Sequence, residues 1–362
     1  IVIFDEAQML PNDYLIPCMR AIGELVSNYH VTAVLCTATQ PSLNKYFTED
    51  VQLHEICSNV DDLYDFFRRV HYEKTDFEDT EALVAQLNIH KQVLCIVNSK
   101  KAAQKIFDGL NGDGCYHLST FMYPQHRRKI LVEVRERLKN NLPCKLVATS
   151  LVEAGVDVDF PVVYREIAGL DSIIQAAGRC NRENKRLLEE SIVYIFEIKN
   201  DDTKIPSFIK LPREITQMLL QEVDDISSTA AIKKYFDLLH EYKGESLDAH
   251  NIMKMSDKEM LFKDIASDFK IIGETGRGVF IPSDDVSKKL LEQLRAGVCN
   301  RSLMRKAGQY IVNVYENQFL KLQGAGVIDV IDENINVLAD MSIYDVHKGL
   351  IVNIDDGVGV FF

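Results

Sequence analysis

Within the 362 residues there is no run of 18 apolar residues, no secretory leader and no Cys-x-x-Cys pair. The first absence excludes a spanning helix and the second speaks against export. The third removes the ligand spacing of a structural zinc site. Eight cysteines, at 18, 36, 57, 95, 115, 144, 180 and 299, stand singly, several inside apolar runs such as Val34-Leu35-Cys36 and Leu94-Cys95-Ile96. They are expected as reduced core thiols of a cytoplasmic protein with no membrane association. An excess of basic charge is also missing. The net charge is -13, with 22 basic against 28 acidic residues up to position 200 and 19 against 26 after it. Any binding of nucleic acid must therefore come from a local groove rather than from the field of the whole chain. Internal repeats and low-complexity tracts are absent as well. So is the motif G-x-x-x-x-G-K-[ST], whose backbone N–H groups and Lys cradle phosphates.

What is present is an ordinary globular composition, 46% hydrophobic and 26% charged, on a length that suits two or three domains. Up to residue 200, strand-like and helix-like segments alternate, the pattern of a parallel α/β sheet. Strands are expected at 1–4, 31–36, 92–97, 115–118, 145–148, 160–165 and 191–197, and helices at 13–28, 79–88, 99–110, 125–139 and 171–180. Residues 211–265 read as helical, and from about 268 the chain turns β-rich, beginning with Phe269-Lys270-Ile271-Ile272. The expected architecture is α/β with RecA-like parallel sheets, the first one truncated, then a helical connector and a small α+β C-terminal domain. The expected segments are 1–67, 68–200, 201–267 and 268–362.

Four motifs carry chemistry. Ile1-Val2-Ile3-Phe4 runs straight into Asp5-Glu6-Ala7-Gln8, which sets two carboxylates at the carboxyl end of a parallel strand, where ligands bind. An Asp there can hold Mg²⁺ and a neighbouring acid can orient a water. The strand at 31–36 ends in Thr37-Ala38-Thr39, hydroxyls able to bond those carboxylates. Residues 145–160 give a strand and then a loop with Thr149, Ser150, Gly155 and Asp157; the hydroxyls suit a nucleic-acid phosphate, Gly155 permits a tight turn and Asp157 is available to a ribose hydroxyl. Gln175 to Arg182 read Q-A-A-G-R-C-N-R, and on a helix Arg179 and Arg182 at i and i+3 share a face suited to a γ-phosphate. Taken singly, each motif also describes a solvated turn, a capped strand end or a surface arginine pair; their order along two successive α/β units decides for the functional reading.

In that order the motifs resemble the superfamily 2 helicases, with Asp5 and Glu6 matching motif II, Thr37 to Thr39 motif III, Thr149 to Asp157 motif V and Gln175 to Arg182 motif VI. FDEAQMLP, CTATQP, HLSTFMYPQHR and GRCNR are similar to the CRISPR-associated helicase-nuclease of type I interference, the Cas-three family. The later Tyr310-Ile311-Val312-Asn313-Val314, Tyr344-Asp345 and Gly349-Leu350 match it by looser pattern. The resemblance implies an ATP- and Mg²⁺-dependent translocase and helicase on single-stranded DNA, moving 3′ to 5′ after recruitment by an RNA-guided surveillance complex. It further implies that Asp5 binds the metal, Glu6 activates water and Gln8 senses nucleotide. Gln175, Arg179 and Arg182 would meet the γ-phosphate, with Gly155 and Asp157 lining the nucleotide site. Thr37, Thr39, Thr149 and Ser150 would couple that state to DNA phosphates, with Asn98 and Ser99 as further candidates.

The chain departs from that family in two respects. The family's HD nuclease needs His and Asp ligands, and none of the nine histidines here precedes an Asp. With the phosphate loop also lacking, the chain is expected to be a C-terminal fragment, inactive alone as an ATPase, of a parent whose missing N-terminal nuclease domain degrades DNA. Two other readings remain open: another superfamily 2 helicase on DNA or RNA, or a non-catalytic remnant that binds nucleic acid or a partner. The basic helix bearing Arg127, Arg128, Lys129, Arg135, Arg137 and Lys139 could track a phosphate backbone, but Glu133 and Glu136 interleave with it, as on a solvated, ion-paired face.

Overall fold

The computed structural model describes residues 1–37, 43–200, 206–259, 261–271, 276–298, 300–332 and 335–352. The chain divides into two compact units. The first comprises Ile1–Tyr72, Ile167–Ala177 and Ile205–Gly273; the second comprises Glu73–Glu166, Gly178–Lys204 and Glu274–Phe362. The helical segment after residue 205 thus packs with the first unit, and the C-terminal α+β segment with the second.

In the first unit, strands β1 (Val2–Phe4) and β2 (Ala33–Leu35) pair in parallel, with Phe4 opposite Leu35. Helix Leu15–Ser27 packs over them, its Leu15, Met19 and Ile22 joining Leu43 and Leu247 in one apolar cluster with Phe4 and Leu35 at its border. The apolar β1 is only half buried: Ile3 is 65% exposed. Helices Ser207–Glu222 and Thr229–Lys243 complete the unit. The second of these is started by Ser228, whose hydroxyl accepts the Ala231 N–H at 3.2 Å. Its charged face is tied to earlier segments by Lys45 to Asp237 at 3.4 Å and Lys243 to Asp13 at 3.0 Å. Phe269, Lys270 and Ile271 form no strand, contrary to the reading of their apolar pattern. Helix Phe262–Asp268 runs up to Phe269, and the Phe269 ring is taken up by Tyr14, edge-on at 5.1 Å.

The second unit is built on a six-stranded sheet in the order β3-β8-β7-β4-β6-β5, from β3 (His71–Phe77), β4 (Gln92–Val97), β5 (Cys115–Leu118), β6 (Cys144–Thr149), β7 (Val162–Glu166) and β8 (Ile192–Ile198). Strands β4 to β8 pair in parallel. Every residue of the central β4 and β6 is buried, as a parallel strand with both faces covered requires. Lys145 lies inside β6 because its ammonium donates hydrogen bonds to neutral acceptors at the strand edge, Asn88 Oδ1 at 3.0 Å and Asn111 O at 3.1 Å. Strand β3 escapes sequence reading, being a charged edge strand whose side chains are mostly exposed. A mixed sheet follows, ordered β10-β9-β12-β11, from β9 (Arg277–Phe280), β10 (Ile311–Val314), β11 (Ile328–Asp332) and β12 (Ile335–Leu338), then a short hairpin of β13 (Tyr344–Asp345) and β14 (Gly349–Leu350). Its apolar core takes in Phe121 and Tyr123 from the loop after β5, while the parallel strands β4, β6, β7 and β8 contribute to a separate cluster.

The seven described cysteines are free. Burial pushes the Cys144 and Cys180 thiols up to about 12 and raises Cys95 as well, which leaves them inert; Cys57 is exposed and Cys299 lies outside the described residues. Among the described residues no helix is long and apolar enough to cross a membrane.

Candidate functional site

In the first unit the ends of β1 and β2 are stitched together by backbone hydrogen bonds. Cys36 N donates to Phe4 O and Ala7 N to Cys36 O, both at 2.9 Å. Asp5 and Glu6 emerge exposed at this tip. Glu6 takes left-handed backbone angles, φ 52°, and its N–H donates to Asp5 Oδ1 at 3.1 Å. Such a conformation strains a residue with a Cβ and is held only by its surroundings. Here Gln8 supplies them: its amide donates to the Glu6 carboxylate, and Thr37 Oγ1 donates to the Gln8 carbonyl. Glu6, Gln8 and Thr37 therefore form one hydrogen-bonded chain between the two strand ends. Gln175, on helix Leu170–Ala177 of the same unit, reaches Met9 Sδ at 3.7 Å. Thr39 lies outside the described residues.

The second unit gathers the other motif residues around the end of β6. Thr149 is 9% exposed and Ser150 is exposed at the start of a 3₁₀ turn, Ser150–Val152. Gly155 has φ +68° with nothing within 4 Å of an added Cβ, so glycine is needed for its backbone angle and not for space. Arg179 is buried and donates from Nε to Val152 O at 2.9 Å and from Nη2 to Glu153 O at 2.5 Å. Arg182 Nε donates to Asp157 Oδ1 at 2.8 Å, and its N–H to Asp159 Oδ1 at 2.7 Å. The two arginines do not share a helical face. The helix ends at Ala177, because Arg179 O and Asn181 N are drawn into backbone bonds with Phe160 at 2.9 and 3.0 Å. One guanidinium thus turns inward and the other outward.

Asn98 and Ser99 are engaged within the protein. Ser99 caps helix Lys100–Gly109 by accepting the Ala102 N–H at 3.0 Å, and Asn98 Oδ1 accepts from Arg165 Nη1 at 2.8 Å. Arg165 and its partner Glu153 escape sequence reading. The available signal was an arginine inside the apolar run Val162-Val163-Tyr164, which is costly to bury unless paired. On the basic helix Pro124–Lys139, Lys129 pairs with Asp284, Arg135 bonds Asp157 O and Arg137 pairs with Asp113. Arg127 does none of this.

No group of three or more His, Cys, Asp or Glu side chains among the described residues could enclose a metal ion. Exposed carboxylates at Asp5 and Glu6 nevertheless fit a hard cation that keeps most of its shell as water and substrate phosphate, the usual situation of Mg²⁺.

In sequence, residues 89–185 match the family described as CRISPR-associated nuclease/helicase Cas3, C-terminal. The chain is 30% identical over 198 residues to the CRISPR-associated nuclease/helicase Cas3 of Haloferax volcanii, covering 48% of this chain and 21% of the relative. It is 27% identical over 111 residues to that of Methanothermobacter thermautotrophicus, covering 30% of this chain and 13% of the relative. The chain thus spans about a fifth or less of these curated relatives. In fold it is similar to T. fusca Cas3 crystallised with AMPPNP, at TM-score 0.66 and 14% identity, over 97% of this chain and 54% of that one. It is also similar to a chain of a CRISPR RNA-guided surveillance complex, pre-nicking, at TM-score 0.58 and 15% identity, over 97% and 57%. By the family match at residues 89–185, the two curated relatives and the shared fold, this chain is similar to the Cas3 family of CRISPR-associated helicases.

Proposed function

We propose that the chain forms part of an ATP-fuelled motor that moves along single-stranded DNA in CRISPR type I antiviral defence, acting with an RNA-guided surveillance complex. The observation that carries this reading is the chain Glu6–Gln8–Thr37, which links a carboxylate suited to nucleotide chemistry with a hydroxyl at the neighbouring strand end. A change at Glu6 on hydrolysis would pass through Gln8 to Thr37, and so from nucleotide to DNA. Asp5 is the residue to hold Mg²⁺, which would supply charge neutralisation at the β- and γ-phosphates when bound. Glu6 orients the attacking water, and Arg182 meets developing charge on the γ-phosphate.

The roles of the two arginines separate by burial. The Arg182–Asp157 pair is exposed, at 43% and 79%, and is easily exchanged for a phosphate. Arg179 instead fixes the loop that presents Thr149, Ser150, Gly155 and Asp157. Thr37, Thr39, Thr149 and Ser150 are assigned to DNA phosphates. Asn98 and Ser99 are assigned chiefly to building the strand tip, where Ser99 caps and Asn98 anchors Arg165.

The test is Gln8→Ala and Thr37→Val in a Cas3 protein that carries this sequence within a complete helicase region. Strand displacement should fall at least about tenfold, ~1.4 kcal/mol, with ATP turnover less affected. Displacement and turnover at wild-type levels would reject the relay.

A further inference from the structure

A groove of about 600 Å³ opens inside the second unit, between the strand tips of the parallel sheet and the mixed sheet. It is lined by Lys100 and Thr120 on one side, Arg127 on helix Pro124–Lys139, and Asn313 and Tyr315 at the end of β10. Among the described residues no carboxylate lines it. Lys100 and Arg127 are both half-buried, and no ion pair falls on either among the described residues. Lys100 Nζ lies 4.1 Å from the centre of the Phe121 ring and 5.4 Å from that of Tyr315. It also occupies the first turn of its helix, where the dipole disfavours a cation. Desolvation pulls the Lys100 ammonium down to about 8 and lowers Arg127 too. Two half-buried cations, one in the first turn of each of two helices, with no counter-charge among the described residues, are costly, and an anion between them would offset that cost.

We infer that this groove is a subsite for a single-stranded nucleic acid, with Lys100 and Arg127 taking phosphate oxygens and Tyr315 stacking a base. Tyr315 is 54% exposed, so one ring face is open to a base. An aromatic platform beside cations suits unpaired bases, which a duplex keeps stacked on one another. Thr120 and Asn313 add neutral donors, and Gly276 and Gly308 line the groove without side chains. The floor is rigid: Tyr123 stacks on Tyr344 at 5.4 Å, and Leu350 N donates to Phe121 O at 2.8 Å. Arg127 thereby separates from the ion-paired basic residues around it on its helix. The inference rests on the nucleic-acid reading given above and adds to it a site that none of the four motifs supplies.

The test uses the 362-residue chain and a fluorescein-labelled oligodeoxythymidine, with binding followed by anisotropy across a salt series. Lys100→Gln with Arg127→Gln should weaken binding at least about tenfold and reduce the salt slope by about 1.4, at roughly 0.7 for each phosphate no longer neutralised. Tyr315→Ala should weaken it about tenfold and leave the slope unchanged, while Tyr315→Phe restores it. In the unaltered chain, saturating oligonucleotide should also protect the Lys100 amine from acylation, a readout that needs no variant. Wild-type binding with unchanged variants and an unprotected Lys100 would overturn the subsite while leaving the nucleic-acid reading intact. Absence of wild-type binding would overturn both. Protection of Lys100 by inorganic phosphate as efficiently as by the oligonucleotide would reduce the groove to a simple anion site and reject the assignment.

Discussion

Arg165 Nε lies 2.8 Å from Glu153 Oε1, with the two side chains only 1% and 6% exposed. The pair sits at the meeting point of three strand ends. Arg165 belongs to β7 and gives Nη1 to Asn98 Oδ1 after β4, Glu153 follows β6, and Asn98 N donates to Glu166 Oε2 at 2.7 Å. A buried ion pair of this kind does not guarantee net stability, but losing one partner strands the other charge without water. Here that would also release the loop whose carbonyls hold Arg179.

Arg165→Met should therefore destabilise the second unit by about 3–5 kcal/mol. The double variant Arg165→Met with Glu153→Leu should recover most of that loss, because no orphaned charge remains. Urea unfolding followed by near-ultraviolet circular dichroism decides it. Equal destabilisation in the single and double variants would mean that packing, and not the stranded carboxylate, sets the cost.

Arg179 and Arg182 should part company in both stability and activity. Arg182→Ala removes one exposed pair and should change stability by less than about 1 kcal/mol. In a protein with a complete helicase region it should abolish ATP turnover while sparing DNA binding. Arg179→Met removes donors to two backbone carbonyls and should cost about 1–3 kcal/mol, with turnover lost through disorder of the loop. Thermal unfolding beside ATP-hydrolysis assays would tell the two apart, and unchanged turnover in Arg182→Ala refutes the role given to it.

The parts that local chemistry determines are legible in the sequence. The apolar-rich runs of β4 and β6 read as central strands. Ser99, Asp79 and Pro124 mark helix starts where the structure has them. Asp5, Glu6, Thr37 and Ser150 lie just beyond strand ends, whereas Gln175 lies on helix Leu170–Ala177. What the sequence hides is decided by distant partners. Arg179 leaves its helix because Phe160 offers backbone bonds. Arg165 is tolerated inside β7 because Glu153 meets it, a pairing that no periodicity encodes. Phe269 abandons its apolar run for the face of Tyr14, and β3 carries the charges of an edge strand where a junction would be read. Lys100 escapes notice because half-burial between two rings is a property of the packed groove alone.

His240 should make the first unit sensitive to acid. Its ring lies between Tyr46 at 5.5 Å and Phe236 at 6.2 Å, its Nδ1 is buried without a partner, and burial lowers it to about 4 despite nearby Asp237, with Lys45 adding to the shift. The unfolded chain, with an ordinary histidine near 6.5, binds the extra proton first as pH falls. The stability gained by keeping His240 neutral is thus complete above about 6.5 and drains away down to about 4, at no more than roughly 1.4 kcal/mol per pH unit. His240→Phe keeps the aromatic packing and should flatten the stability profile over that window. An unchanged slope would assign the acid sensitivity to other groups.

Glu6 combines function with strain, and the two should be separable. Its left-handed backbone costs about 1 kcal/mol relative to a residue free of a Cβ, and that cost is carried by the bonds from Gln8 and the neighbouring strand end. Glu6→Gly should therefore stabilise the first unit, or leave it unchanged if the lost Gln8 bond cancels the relief. Glu6→Gln keeps the Cβ and so the strain, gains nothing in stability, and loses the carboxylate. Both should lack ATP turnover in a protein with a complete helicase region. Melting temperatures would rank Glu6→Gly at or above the parent and Glu6→Gln at or below it. The reverse ranking would show that the conformation at residue 6 is relaxed, and that the carboxylate sits at the strand tip without being held there under strain.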